Sequence, residues 1–135
     1  HTDAFELYKG ILNGKARSVF HGSIIVQKNA AKVNASQSDK NLLLSPEAEA
    51  DTKPAFWIYC DDVKCAHGAA CGQIDDNQMF YLRTRGLSEA DAKRLLVGGF
   101  ATEVIDSVQL TSLRNHVSAL VDQRLGGWLG EEQLP

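Results

Sequence analysis

The densest run of side chains able to do chemistry is Asp61-Asp62-Val63-Lys64-Cys65-Ala66-His67-Gly68-Ala69-Ala70-Cys71-Gly72. In an extended segment, residues two apart project from one face, which would set Cys65 beside His67. A thiolate and an imidazole are the ligand types wanted by zinc, iron and iron–sulfur clusters. One Cys-x-His pair supplies only two of the ligands a closed zinc site needs, and Cys60 falls on the other strand parity. Two readings therefore stay open for the pair: ligation, or a buried thiol next to a hydrogen-bonded histidine.

The remaining polar candidates are weaker. Asp61-Asp62 could hold a cation or act as an acid pair, but adjacent carboxylates at a strand end read more naturally as a solvated turn. His21, between Phe20 and Gly22, reads as a turn residue, and His116 falls on a helix that offers it no partner. The sequence contains no Gly-x-x-x-x-Gly-Lys phosphate loop, no Gly-x-Ser-x-Gly elbow and no His-Glu-x-x-His, which argues against an autonomous enzyme. The aromatic run Phe56-Trp57-Ile58-Tyr59 is expected in a core or a subunit interface.

The 135 residues allow one domain, or one small domain with an appendage, and 44% hydrophobic content is enough for a core. With 14 basic and 17 acidic side chains the net charge is −3, and no basic run exists to engage phosphates. Nucleic acid is thus not an expected partner. The apolar runs are too short to span a bilayer, so no membrane partner is expected either. The opening His1-Thr2-Asp3-Ala4 lacks the pattern of a secretory signal and reads as a cut through a longer chain. Three cysteines, an odd number, fit no small disulfide framework; reduced thiols and a cytosol-like compartment are expected.

Two grammars divide the elements that must position these residues. Up to about residue 74, short stretches rich in β-branched and aromatic residues alternate with polar breaks: Phe5–Tyr8, Ser18–Phe20, Ser23–Gln27, Lys32–Ser36, Leu42–Ser45, Phe56–Cys60 and Val63–Cys65. Their spacing of roughly ten residues fits either a sandwich or the coils of a β-solenoid. Beyond Asp75 the period becomes helical. Asp75 caps a first helix that ends at Gly86. Ser88, with Asp91 three residues on, opens a second, with Ala92, Leu95, Leu96, Gly99, Phe100 and Val104 inward. A third runs from Ser112, with Leu113, Val117, Leu120 and Val121 inward, and is expected to end at Gly126-Gly127; the tail from Trp128 to Pro135 reads as loose.

Taken together, Tyr8-Lys9-Gly10, Val19-Phe20-His21-Gly22, Asn41-Leu42-Leu43-Leu44-Ser45, Asp61-Asp62-Val63-Lys64-Cys65-Ala66-His67-Gly68 and Phe80-Tyr81-Leu82-Arg83-Thr84-Arg85-Gly86 resemble the C-terminal part of the SufB/SufD family of iron–sulfur cluster assembly proteins. The resemblance covers nearly the whole chain. It implies a β plus α fold: residues 1–74 as the terminal coils of a right-handed parallel β-helix, and residues 75–135 as a small helical C-terminal domain. The likeness is to the SufD branch. SufB-like members place a cysteine at the position of Ser38 and a glutamate at that of Gly68. Trp57, Cys60 and Cys71 depart from the usual SufD-like pattern.

What the resemblance implies is a non-catalytic scaffold that pairs with a SufB-like subunit and docks a SufC-like ATPase through residues 75–125. Cys65 and His67, His67 foremost, would help hold a transient iron–sulfur cluster shared with the SufB-like partner, and none would be bound in the isolated fragment. The setting would be the bacterial cytoplasm, or the plastid stroma in a eukaryote. A homodimer of the fragment is also foreseen. Two other readings remain: a zinc or iron metalloenzyme using Cys65 and His67, and a purely structural β-solenoid adaptor.

Overall fold

The computed structural model describes residues 1–129; the expectation of a loose tail lies, from residue 130 on, outside the described residues. The chain divides into two compact units, His1–Gln73 and Ile74–Pro135.

The first unit consists of five strands: β1 (Thr2–Leu12), β2 (Arg17–Val26), β3 (Val33–Leu43), β4 (Glu49–Ile58) and β5 (Val63–Gln73). Odd and even strands sort into two separate parallel sheets, β1-β3-β5 and β2-β4. Each residue thus pairs with one about 31 positions along the chain, as Thr2 does with Val33 and Val33 with Val63. The corners continue the ladder. Leu44 N–H donates to the Leu12 carbonyl, Glu49 N–H to that of Ala16, and Tyr59 N–H to that of Val26. Ser45 Oγ donates to the Gly14 carbonyl at 2.7 Å, in a corner where Gly14 takes a φ of 61° that favours glycine.

The strands are longer than their apolar runs. Ser18–Phe20 and most of Ser23–Gln27 fall in one strand, β2, and the polar stretch between Lys32–Ser36 and Leu42–Ser45 joins most of the first to the start of the second in β3. The reason lies in alternation. Along β3 the residues Ala35, Gln37, Asp39 and Asn41 are all buried. Alternate polar residues of this stretch, Gln37, Asp39 and Asn41, are therefore side chains of the face between the sheets, and the stretch does not form a turn. That face is closed from the other sheet by Phe20, whose ring centroid is 4.8 Å from that of Tyr8, and by Phe56, which meets His67.

The second unit contains α1 (Asp76–Thr84), α2 (Glu89–Asp106) and α3 (Thr111–Leu129). Its boundaries follow from capping. The Asp75 carboxylate accepts from Asn77 N–H at 2.7 Å and Gln78 N–H at 3.3 Å, satisfying donors that a helix start leaves unpaired. At the other end Gly86, at φ 94°, donates to the Arg83 carbonyl while Leu87 N–H reaches back to that of Leu82, the paired bonds of a Schellman stop. Ser88 Oγ accepts from Asp91 N–H at 3.1 Å and donates to the Asp91 carboxylate at 2.6 Å.

Three expectations for this unit are corrected. Leu95 is 56% exposed, and Val97, at 0%, is the buried residue of the Leu95-Leu96-Val97 run, together with Ala92 and Ile105. A run apolar at every position offers periodicity no phase, so packing chooses the face. Leu113 and Leu120 are exposed, while Leu125 is buried. Gly126-Gly127 does not end α3, which continues to Leu129; a glycine costs only about 1 kcal/mol in a helix, and local packing can offset that.

Candidate functional site

β5 carries both residues that the sequence singles out. It hydrogen-bonds to β3 on one side and, among the described residues, has no strand on the other. Cys65 is half-buried and His67 exposed. They share the parity of the residues facing the other sheet, since Ala35 pairs in register with Cys65 and Gln37 with His67. The His67 ring lies nearly parallel to Phe56 of β4, at 14° and 4.3 Å between centroids. Phe56 therefore holds one face of the imidazole while leaving its ring nitrogens unblocked.

Behind His67 runs a polar row that sequence reasoning did not assign. Gln37 is 3% exposed, and its Nε2 donates to Glu6 Oε2 at 2.7 Å, joining β3 to β1. Its Oε1 is buried without a hydrogen-bond partner. Leaving an acceptor in this state costs about 1–3 kcal/mol, so the oxygen is a standing demand for a donor. The amide lies against Gly22 of β2: a Cβ at that position would sit 2.5–2.7 Å from the amide atoms. Further along, Asn41 Nδ2 donates to buried Asp39 at 2.8 Å, and Gly10 leaves the space that the Asn41 amide fills. The signal in the sequence is the period-two series Gln37, Asp39, Asn41, with small residues opposite it.

The other candidates lie apart from this row or add nothing to it. Asp61 and Asp62 are exposed in the bend before β5, where the Asp62 carbonyl accepts from Lys32 N–H at 2.6 Å. His21 and His116 are exposed. His21 is in β2 itself, and its parity puts it on the face away from the other sheet. Cys60 is half-buried before β5; Cys71 is exposed on the Cys65 parity, six residues on. Ser38 pairs with Gly68 and stands on the opposite face of its sheet from Gln37. Among the described residues no three His, Cys, Asp or Glu side chains gather into a group that could hold a metal ion. The pair on β5 can therefore supply part of a ligand set, and anything it grips must be completed from elsewhere.

Residues 1–100 match the family model described as SUF system FeS cluster assembly, SufBD core domain. The chain belongs to the SufB/SufD family. Within that family it is 44% identical over 122 residues to the iron–sulfur cluster assembly protein SufD of Escherichia coli strain K12, an alignment covering 90% of this chain and 29% of the relative. It is 40% identical over 124 residues to an iron–sulfur cluster assembly SufBD family protein of Synechocystis, covering 92% of this chain and 27% of that one. Protein ABCI7, chloroplastic, of Arabidopsis thaliana is 37% identical over 121 residues, 86% of this chain and 26% of its own. This SufB/SufD chain thus spans less than a third of the length of these relatives. No helix among its described residues is long and apolar enough to cross a membrane.

Proposed function

We propose that the chain is a SufD-like part of a non-catalytic scaffold subunit that pairs with a SufB-like subunit and docks a SufC-like ATPase during iron–sulfur cluster assembly. The observation that carries this reading is the placement of His67 and Cys65 on a strand that, among the described residues, has a strand neighbour on one edge alone, in a member of the SufB/SufD family. An unpaired edge offers backbone donors and acceptors to a second sheet. Two ligands cannot enclose a cluster, so a nascent cluster held here as cargo takes its remaining ligands from the partner. His67 is the principal ligand in this proposal, and half-buried Cys65 is secondary to it.

In the whole protein, the alternating strands of residues 1–74 would close into terminal coils of a right-handed parallel β-helix, and residues 75–135 would form the helical C-terminal domain. Within residues 75–125, Phe80, Tyr81, Leu95, Leu110, Leu113 and Leu120 are exposed, apolar area that suits an ATPase contact. The bacterial cytoplasm or plastid stroma is the compartment that fits the relatives' names.

The test is anaerobic co-expression of the full-length protein with its SufB-like and SufC-like partners. His67→Ala should leave complex assembly intact and lower the iron and sulfide recovered with the complex. Wild-type iron and sulfide content in that variant would remove His67 from the site.

A further inference from the structure

We infer that Gln37 is a positioning residue for His67, seated by Gly22 and anchored by Glu6, and that it fixes which ring nitrogen of the histidine presents its lone pair. The inference rests on the role proposed for His67 at the nascent cluster.

The three side chains occupy one register row across β1, β3 and β5, with Glu6 paired to Gln37 and Gln37 to His67. A side-chain amide has its donor and its acceptor on opposite sides of one carbon. Once Nε2 is bound to Glu6 at 2.7 Å, rotation of Gln37 is restrained and Oε1 has to look elsewhere. That oxygen is buried and unpartnered, and the next side chain in the row, away from Glu6, is the imidazole. Within this row the imidazole is the side chain with a further N–H to offer, and a turn of its ring would have to bring that N–H to the oxygen, which the structure leaves without a partner. A neutral imidazole that donates from one nitrogen keeps a lone pair on the other, and a hydrogen-bonding neighbour is how proteins select that tautomer for a metal. Phe56, stacked on the ring, restricts the tilt of its plane.

Gly22 gives a second, independent handle. A Cβ there would meet the Gln37 amide at 2.5–2.7 Å, the far end of a flexible side chain. The amide can move aside at little cost to the fold, but it cannot then keep its seat. Gly22→Ala should consequently misplace Gln37 without changing its chemistry.

The experiment uses the full-length protein labelled with ¹⁵N-histidine, at a pH where the ring is neutral, with the His67 signals assigned by their loss in His67→Ala. Wild type should show one tautomer. Gln37→Met, similar in size but without the amide, and Gly22→Ala should both give tautomer-averaged ring shifts. In the anaerobic complex, Gln37→Met should lower cluster iron on the order of tenfold, as loss of an orienting partner does at metal ligands. Identical His67 ring shifts in wild type, Gln37→Met and Gly22→Ala would overturn the inference, whatever the iron content. Tautomer averaging in these variants, found together with full iron loading in His67→Ala, would uphold the positioning and overturn the cluster role alone.

Discussion

Asp39 and Asn41 are both almost fully buried, and the Asn41 amide donates to the Asp39 carboxylate. Asn41→Ala should therefore destabilise the protein by about 1–3 kcal/mol, the cost of removing a buried hydrogen bond to a charged group, read from the midpoint of denaturant unfolding. Lys53→Ala, at an exposed position in β4, is the control and should change stability by less than about 0.5 kcal/mol. Cys65 and His67 are legible in the sequence because alternation alone puts them on one face. The row behind them is not. Gln37, Glu6 and Gly22 lie in three different strands, and their association depends on a register that local pattern does not encode. A polar side chain between sheets resembles a turn residue until its neighbours are known.

Two helix starts and one helix stop are legible in the sequence, while the end of α3 and the buried faces of the helices are not, for a physical reason. Caps at Asp75 and Ser88 and the stop at Gly86 are local hydrogen-bond solutions, complete within four residues of sequence. Ser88→Ala should cost about 1 kcal/mol by leaving the Asp91 N–H without its acceptor, measurable as a lowered melting temperature. Gly86→Ala should cost about 1–2 kcal/mol, since a φ of 94° brings a Cβ into conflict with the backbone. The choice of Val97 over Leu95 as the buried residue depends instead on what packs against α2, and the same is true of Leu125 over Leu120 in α3. By contrast, Arg17 lies 3.6 Å from Glu49 and 4.0 Å from Asp51 with all three side chains well exposed, and Arg17→Ala should change stability by no more than about 1 kcal/mol.

For the molecule as a whole, the strongest expectation concerns its uncovered apolar surface. Ile25 and Trp57 pair in register on the outer face of the β2-β4 sheet, 59% and 56% exposed, with Val19 exposed on the same face. Phe5 and Tyr8 are exposed on β1, an edge strand. Residues 1–135 alone should accordingly self-associate at micromolar concentration, and light scattering that returned a monomer mass would count against it. If the proposed docking of a SufC-like ATPase uses this unit, Leu113→Asp or Leu120→Asp should weaken it, because an unpaired charge in an interface is costly. Pull-down of the ATPase undiminished by both changes, or by removal of residues 75–125, would place that contact elsewhere.

The parallel pairing of alternate strands also governs how such a chain can evolve. The three strand pairings span sequence separations that differ by a residue or two, so the corners absorb small changes in length. Within a strand a one-residue change would turn every later inward residue of that strand outward, exchanging Gln37, Asp39 and Asn41 for their half-buried neighbours. Insertions and deletions should survive at the corners singly, but along the straight runs only in steps that keep parity. The lineage can redecorate its turns freely, while the rows that face inward are inherited as a block.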